Sequence, residues 1–406
     1  MKKKKEYLLI IGANIELIEF YLEAKKMGLN IIGMDKNPKS VAFKYADKKI
    51  ISSTRNTKAA VKKAVEFSKK NKIIGVTTSS HDVPLTIAKI AKKLNLKSIS
   101  IKNALIASDK RKMKDFFIEN KLSTSKYFLC KSFKEFSKKK IKLPIIIKPI
   151  DGRGSRGVTY HDDLSKIKWA LNYAKENSNY NEILVEEYMD GRQLSSEGFV
   201  YKKKYFQSAI SDRNYSKLPI TKPFVVEGGG QLPSTINKKM ENKVNKFCSK
   251  VAKCLNLESG PIKFDLVINK NEIKCIEFAL RLSGGFFSSL QIPKIYNINL
   301  MKLTILDSIK RTIPINYLLP KKKGSMVVKY IQAHKKGKYL GLKNIKMLEN
   351  KRKVFYFRTL AKKNSQVDIT QHNAARLATF ACYDKTLKLA KKKANLIESK
   401  VKPIII

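Results

Sequence analysis

The period of the apolar positions changes along the chain. Over the first hundred residues, short apolar runs alternate with helical spacing. Tyr7 to Ala13 reads as a strand, Glu16 to Met27 as an amphipathic helix, and Asn30 to Met34 as a second strand ending in Asp35. Ile50-Ile51, the helix Thr57 to Asn71, the strand Ile73 to Thr78 and the helix Val83 to Leu94 continue the alternation, which predicts a small doubly wound α/β unit. Of the dinucleotide fingerprint G-x-G-x-x-G only Gly12 is present, with Asn14 and Leu17 where the other glycines belong, so a bound NAD is not expected. His81-Asp82 follows a strand's carboxyl end, where such folds place ligands, but a helix-capping turn running into Pro84 is the simpler reading.

From Asn103 the pattern shortens. Ser108-Asp109-Lys110 opens a helix through Asn120, and Tyr127 to Cys130 is a strand. The β-branched run Ile145-Ile146-Ile147 predicts a buried strand that delivers Lys148 at its end, and Pro149 stops further ladder pairing. The next residues, Gly152, Arg153, Gly154, Ser155, Arg156 and Gly157, form a loop that can lie flat on a ligand and offer backbone N–H groups, a hydroxyl and charge to it. A strand-borne ammonium followed by such a loop suits a polyphosphate. It is not a Walker A loop, because no Gly-Lys-Ser/Thr closes it. A helix from Leu164 to Glu176 places Trp169 in the core, and the strand Asn181 to Tyr188 ends in E-E-Y-M.

Farther on, Gln193 to Tyr201 and Tyr205 to Ser211 read as strands and Glu241 to Leu255 as an amphipathic helix. Phe264, Leu266 and Ile268 then alternate against Asp265 and Val267, and Asn269-Lys270-Asn271 supplies a turn. A hairpin centred near Asn271 sets Asp265 opposite Glu277, where two like charges repel. A divalent cation between them removes the conflict, and magnesium takes one or two carboxylates plus substrate phosphates. Two edge acids, each paired with one of the many lysines, would remove it as well. Short strands at Ser325 to Ile331, Tyr339 to Leu342, Val354 to Phe357 and Leu377 to Cys382, then a helix from Asp384 to Ser399, predict a β-rich C-terminal unit.

Composition bounds these readings. The 406 residues are too many for one ordinary core, and an apolar content of 43% is enough to bury several. The five cysteines are scattered singly with no C-x-x-C pair, which fits buried thiols in a reducing compartment. The basic start, Met1 to Lys5, followed by Tyr7 to Ile11, imitates a signal peptide. However, Asn14, Glu16 and Glu19 interrupt the apolar region and no small-residue cleavage site follows, so a cytoplasmic location is expected. The formal charge of +52 invites a nucleic-acid or membrane reading. Its lysines recur along polar helix faces instead of gathering in one patch, and abundant Lys, Ile and Asn beside sparse Arg, Ala and Gly are what a low-GC coding bias produces. Neither a specific nucleic-acid partner nor a membrane is expected.

Lys110, Lys148 with its glycine loop, the Glu186-Glu187-Tyr188-Met189 segment and the Asp265/Glu277 pair occur in an order and at spacings that resemble the ATP-grasp superfamily. The resemblance covers nearly the whole chain. It implies an α/β N-terminal domain over 1–107, an ATP-grasp domain over 108–320 with a mobile lid at about 124–188, and a C-terminal β-rich domain over 321–406. By position it implies that Lys110 and Lys148 contact ATP phosphates and that Gly152 to Gly157 close over the γ-phosphate. Glu186 would lie near the adenine amine, with backbone groups of Glu187 and Met189, in the hinge that includes Tyr188, on the ring edge. Asp265 and Glu277 match the ligands of Mg2+, with Mn2+ as an alternative. Arg281 matches the arginine that steadies an acyl phosphate, and Ser283, Gly284 and Gly285 line the carboxylate pocket. Two departures stand out. Gln193 occupies the position of the ribose-binding glutamate, with Glu197 as a substitute, and Ala279 replaces a metal-coordinating amide, which puts a second metal ion in doubt. The implied activity is an ATP-dependent carboxylate–amine ligase acting on small carboxylate and amine substrates, like the amino-acid ligases of the superfamily; a homodimer stays open. The competing readings are a bicarbonate-using carboxylase of nucleotide-biosynthesis type and a basic nucleic-acid-binding protein on a vestigial frame. Against the last stands the absence of clustered aromatic-basic motifs.

Overall fold

Four sheets organise residues 5–406, which are those that the computed structural model describes; residues 1–4 of the expected signal-peptide mimic lie outside them. In the first, Glu6–Ile11 (β1), Ile31–Asp35 (β2), Lys48–Ile51 (β3) and Lys72–Thr77 (β4) run parallel in the order β3-β2-β1-β4. Both faces of β1 are covered: Leu8 and Ile10 belong to one core, Leu9 and Ile11 to another. That explains why these strands read as continuous apolar runs.

The second sheet is antiparallel. Tyr127–Cys130 (β5), Ile145–Pro149 (β6), Thr159–His161 (β7) and Ile183–Glu187 (β8) take the order β5-β8-β6-β7 over a helix, Ile167–Glu176. That helix buries Ile167, Ala170, Leu171 and Ala174 and turns Trp169 outward, 41% exposed and stacked on Tyr173. The expectation of a core tryptophan is therefore corrected: the buried stripe runs through positions 167, 170, 171 and 174 and leaves position 169 outside it. The helix expected from Ser108 through Asn120 is found as Lys110–Glu119, and a further helix that periodicity missed, Ile101–Ser108, precedes it. Ile101–Ser108 ends where Asp109 adopts an extended conformation and caps Lys110–Glu119, its carboxylate accepting the Arg111 and Lys112 N–H groups.

Arg192–Tyr201 (β9), Lys204–Asn214 (β10), Gly229–Leu232 (β11), Gly260–Asn269 (β12), Glu272–Ala279 (β13) and Ser325–Ile331 (β14) build most of the third sheet. Then come Gly337–Lys343 (β15), Tyr356–Thr359 (β16), Ser365–Val367 (β17), Ala378–Asp384 (β18) and Lys402–Ile405 (β19). The large sheet runs β13-β12-β9-β10-β11-β14-β18-β16, and β17-β15-β19 form the small fourth sheet. The C-terminal strands thus extend the central sheet across residue 320. Periodicity missed β17 and β19, which are only three and four residues long.

Asp265 does lie opposite Glu277, as the spacing predicts, and the reason is a bulge. The turn Lys270-Asn271 pairs Asn269 with Glu272 and Leu266 with Cys275. Continued regularly, that register would set Ile276 opposite Asp265 and turn Glu277 toward the core. The register instead shifts between Asp265 and Leu266, and Glu277 comes to face Asp265. Beneath this hairpin Phe278 packs edge-on against Phe116 and Phe117 with centroids 5.9 and 5.8 Å away, and is fully buried. Phe278→Ala is expected to lower unfolding free energy by about 3–5 kcal/mol in urea titrations; a loss below about 1 kcal/mol would show that this cluster does not anchor the hairpin.

Candidate active site

A cavity of about 710 Å³ opens where the three larger sheets meet. Its chemistry starts from the alternation of side chains along β8. Glu186 pairs in register with Ile146 and Tyr127, and its carboxylate points inward, 2% exposed. One oxygen accepts from Lys148 Nζ, and the other from Lys114 Nζ at 2.7 Å and Ser125 Oγ at 2.8 Å. Burial by itself would raise this carboxyl; the two ammonium ions outweigh it and hold Glu186 at about 2. Lys114, from the helix Lys110–Glu119, has all three donors engaged, the others by Thr124 and Ser125 at 2.7 Å. It does not line the cavity, whereas Lys148 does. One carboxylate between two ammonium ions leaves one positive charge uncompensated at the cavity wall.

The glycine loop lies across the mouth. Gly154 and Ser155 both adopt left-handed φ of 62°, and Lys110 Nζ donates to the Gly152 carbonyl at 2.6 Å. The Asn373 N–H, in a turn of the C-terminal unit, bonds the Gly154 carbonyl at 3.0 Å, so the loop tip rests on a different unit from the one that carries it. Gly152, Arg153, Gly154, Ser155 and Arg156 line the cavity; Gly157 does not. A Cβ there would meet Pro149 at 2.6 Å and Asn177 at 2.8 Å, so its glycine serves packing.

On the floor, Asp265 Oδ2 accepts from Lys263 at 2.7 Å and lies 3.1 Å from Arg213, while Glu277 Oε2 lies 3.5 Å from Lys110. Burial would raise Glu277; Lys110, Lys263 and Lys148 overcome it and lower the carboxyl strongly. At the far end Arg281 donates to Asp82 at 3.2 Å, and Arg153 approaches the same carboxylate at 3.4 Å. Against burial, these guanidiniums hold Asp82 at about 2. The expectation that His81-Asp82 merely caps a helix is therefore corrected: the N-cap is Val83, without a side-chain bond, and both residues line the cavity. Asp82's position past the carboxyl end of β4 was the available signal.

Ser283, Gly284 and Gly285 line the same end, where Glu16 accepts the Gly285 N–H at 3.1 Å. Two expectations shift. Glu197 lies beneath the cavity, wholly buried, with Oε1 accepting from Ser283 N at 3.1 Å and Ser288 Oγ at 2.5 Å, so it positions the Ser283 loop instead of reaching a ribose. Glu186 cannot offer a free carboxylate to an adenine amine, because its oxygens are taken by Lys114, Lys148 and Ser125. In the hinge the Glu187 and Tyr188 N–H groups are bonded to the carbonyls of Lys126 and Pro144. Glu187, Tyr188, Met189 and Gln193 line the cavity, and sequence reasoning missed Lys114, Asp82, Glu16 and Lys263.

The donors present fit a magnesium nucleotide. Arg281 Nε and Ser283 Oγ are buried without a partner, and ammonium ions already stand as cations on the opposed carboxylates. Among the described residues no group of three or more His, Cys, Asp or Glu forms a complete metal cage. Two carboxylates completed by phosphate oxygens are what magnesium needs.

The ATP-grasp domain model matches residues 141–289. That stretch of the chain carries an ATP-grasp domain. The chain is 37% identical over 95 residues to the D-alanine–D-alanine ligase of Pelagibacter ubique, covering 22% of this chain and 30% of that protein. It is 31% identical over 146 residues to the corresponding ligase of Sulfurimonas denitrificans, covering 35% and 41%. The chain thus spans less than half the length of the curated relatives it matches. Its fold is that of the L-amino acid ligase from Bacillus licheniformis, with a TM-score of 0.85 at 17% identity over 100% of both chains. No helix among the described residues is long and apolar enough to cross a membrane.

The lowered Glu186 carboxyl fixes a pH dependence. A depressed folded-state pKa stabilises fully above the unfolded value of 4.5 and is lost as pH falls toward about 2. Glu186→Gln, which leaves two buried ammonium ions without their counter-charge, is expected to cost about 3–5 kcal/mol at neutral pH and to flatten that part of the acid limb. Urea titrations stepped through pH check this; a neutral-pH loss under about 1 kcal/mol with an unchanged acid limb contradicts it.

Proposed function

We propose that the protein is an ATP-dependent ligase that activates a substrate carboxylate as an acyl phosphate for attack by an amine. The observation that carries the reading is the convergence, in one cavity, of the uncompensated Lys148 charge, the glycine loop and the facing carboxylates of Asp265 and Glu277. The phosphates lie against Lys148, Lys110 and the loop amides, which neutralise charge as the γ-phosphoryl group transfers. Asp265 and Glu277 would hold Mg2+, which would supply further charge neutralisation at the phosphate oxygens. A substrate carboxylate oxygen attacks the γ-phosphorus and the bond to the bridging oxygen breaks, giving ADP. The amine nitrogen then attacks the acyl carbon, phosphate leaves, and the amine's proton passes to solvent. Arg281, anchored on Asp82, steadies the acyl phosphate beside Ser283 and Gly284. Loop closure excludes the water that would hydrolyse this intermediate.

The test is Mg2+-dependent ADP release against a panel of amino acids, other carboxylates and bicarbonate, with hydroxylamine present to trap acyl phosphate as hydroxamate. One carboxylate class is expected to give hydroxamate, reduced at least about 100-fold by Lys148→Ala and by Glu277→Ala. ADP release that requires bicarbonate and yields no hydroxamate with any other carboxylate would refute the ligase reading in favour of a carboxylase.

A further inference from the structure

The row of residues beside the carboxylate pair is unusual in its charge. On β13, Ala279 stands two residues beyond Glu277 and so shares its face. Its cross-strand partner on β12 is Lys263, whose partner on β9 is Glu197. Ala279 offers only a methyl group, and the Lys263 side chain fills the space beside it. Its ammonium lies 2.7 Å from Asp265 Oδ2 and 3.9 Å from Glu277 Oε1, on a residue only 9% exposed. Arg213 reaches the same Oδ2 at 3.1 Å, so two cations converge on one oxygen of Asp265.

Two facing carboxylates next to a triphosphate carry enough negative charge for two divalent ions. Here one of those places already has a cation. A second divalent ion on this row would sit within a few ångströms of a buried ammonium, with twice the repulsion of two unit charges and little water to screen it. It would also find no oxygen or nitrogen donor at position 279.

We propose that Lys263 is the resident second cation of this site, so that Asp265 and Glu277 take a single Mg2+ with the nucleotide. The inference rests on the nucleotide reading given above and adds the metal count and the residue that sets it. Lys263 is then a positioning residue for the carboxylate pair: its ammonium holds Asp265 Oδ2 and stands beside Glu277 Oε1.

Counting Mn2+ by electron paramagnetic resonance, in the full chain with saturating β,γ-imido ATP, tests this without turnover. One Mn2+ per bound nucleotide is expected in the wild type and in Ala279→Asn, where the ammonium remains. The double variant Lys263→Met/Ala279→Asn is expected to bind two, with the spin-coupled signal of ions about 3.5–4 Å apart. Lys263→Met alone should also gain a second, weaker Mn2+, which provides the comparison if the double variant does not fold. Two ions in the wild type, or a count unchanged on removing Lys263, overturns the inference while leaving the nucleotide reading intact. Failure of the wild type to bind the nucleotide at all overturns the proposed function and the inference together.

Discussion

A carboxylate buried between two ammonium ions is the constraint on which the rest of the site depends. Taking Glu186, Lys114 and Lys148 out of water is costly, and the cost is offset only if every charge meets its partner in good geometry. Lys114 meets that condition with three bonds. Lys148 meets it with one, and its remaining donors face the cavity. The interior therefore holds a fixed excess of positive charge at the end of β6, in a low-dielectric wall where an anion interacts strongly. Strand, hinge and helix must all be in register for this to form, since the three residues come from β8, β6 and the helix Lys110–Glu119.

The other parts of the cavity are built by elements that pack on this frame. The N-terminal sheet contributes Asp82 from the end of β4 and Glu16 from the turn after β1, so its role goes beyond support. The C-terminal unit enters through a chain of ion pairs: Arg376 to Glu227 at 3.3 Å, Glu227 to Arg213 at 3.2 Å, and Arg213 to Asp265 at 3.1 Å. The turn that carries Arg376 also supplies the Asn373 N–H that holds Gly154. Asp265 and the glycine loop are thus tied to the same four residues of the C-terminal unit, Asn373 to Arg376.

Much of this was legible in the sequence because local rules decide it. Ile145-Ile146-Ile147 reads as a buried strand from its β-branched run alone, and Lys148 emerges at its end. The opposition of Asp265 and Glu277 also followed from spacing, although the bulge that produces it did not show. What periodicity could not reveal were partners brought together from distant elements. Lys114 looked like one more lysine on a polar helix face; only the approach of β8 makes it a buried cation. Glu197 sits on an ordinary alternating strand, and nothing local says that the Ser283 loop will cover it. In a chain of charge +52, single lysines carry little signal, so Lys263 was invisible until its cross-strand neighbours were known. Asp82 was misjudged because a capping turn explains the same residues at shorter range.

The most direct measurement is a calorimetric titration of the wild type and of Lys114→Met with Mg2+ and a non-hydrolysable ATP analogue. Lys114 does not reach the cavity, yet without it Glu186 neutralises Lys148 alone and the excess charge disappears. The account predicts one saturable nucleotide site in the wild type and binding weakened about tenfold or more in the variant. No binding by the wild type, or equal affinity in a folded variant, would contradict it.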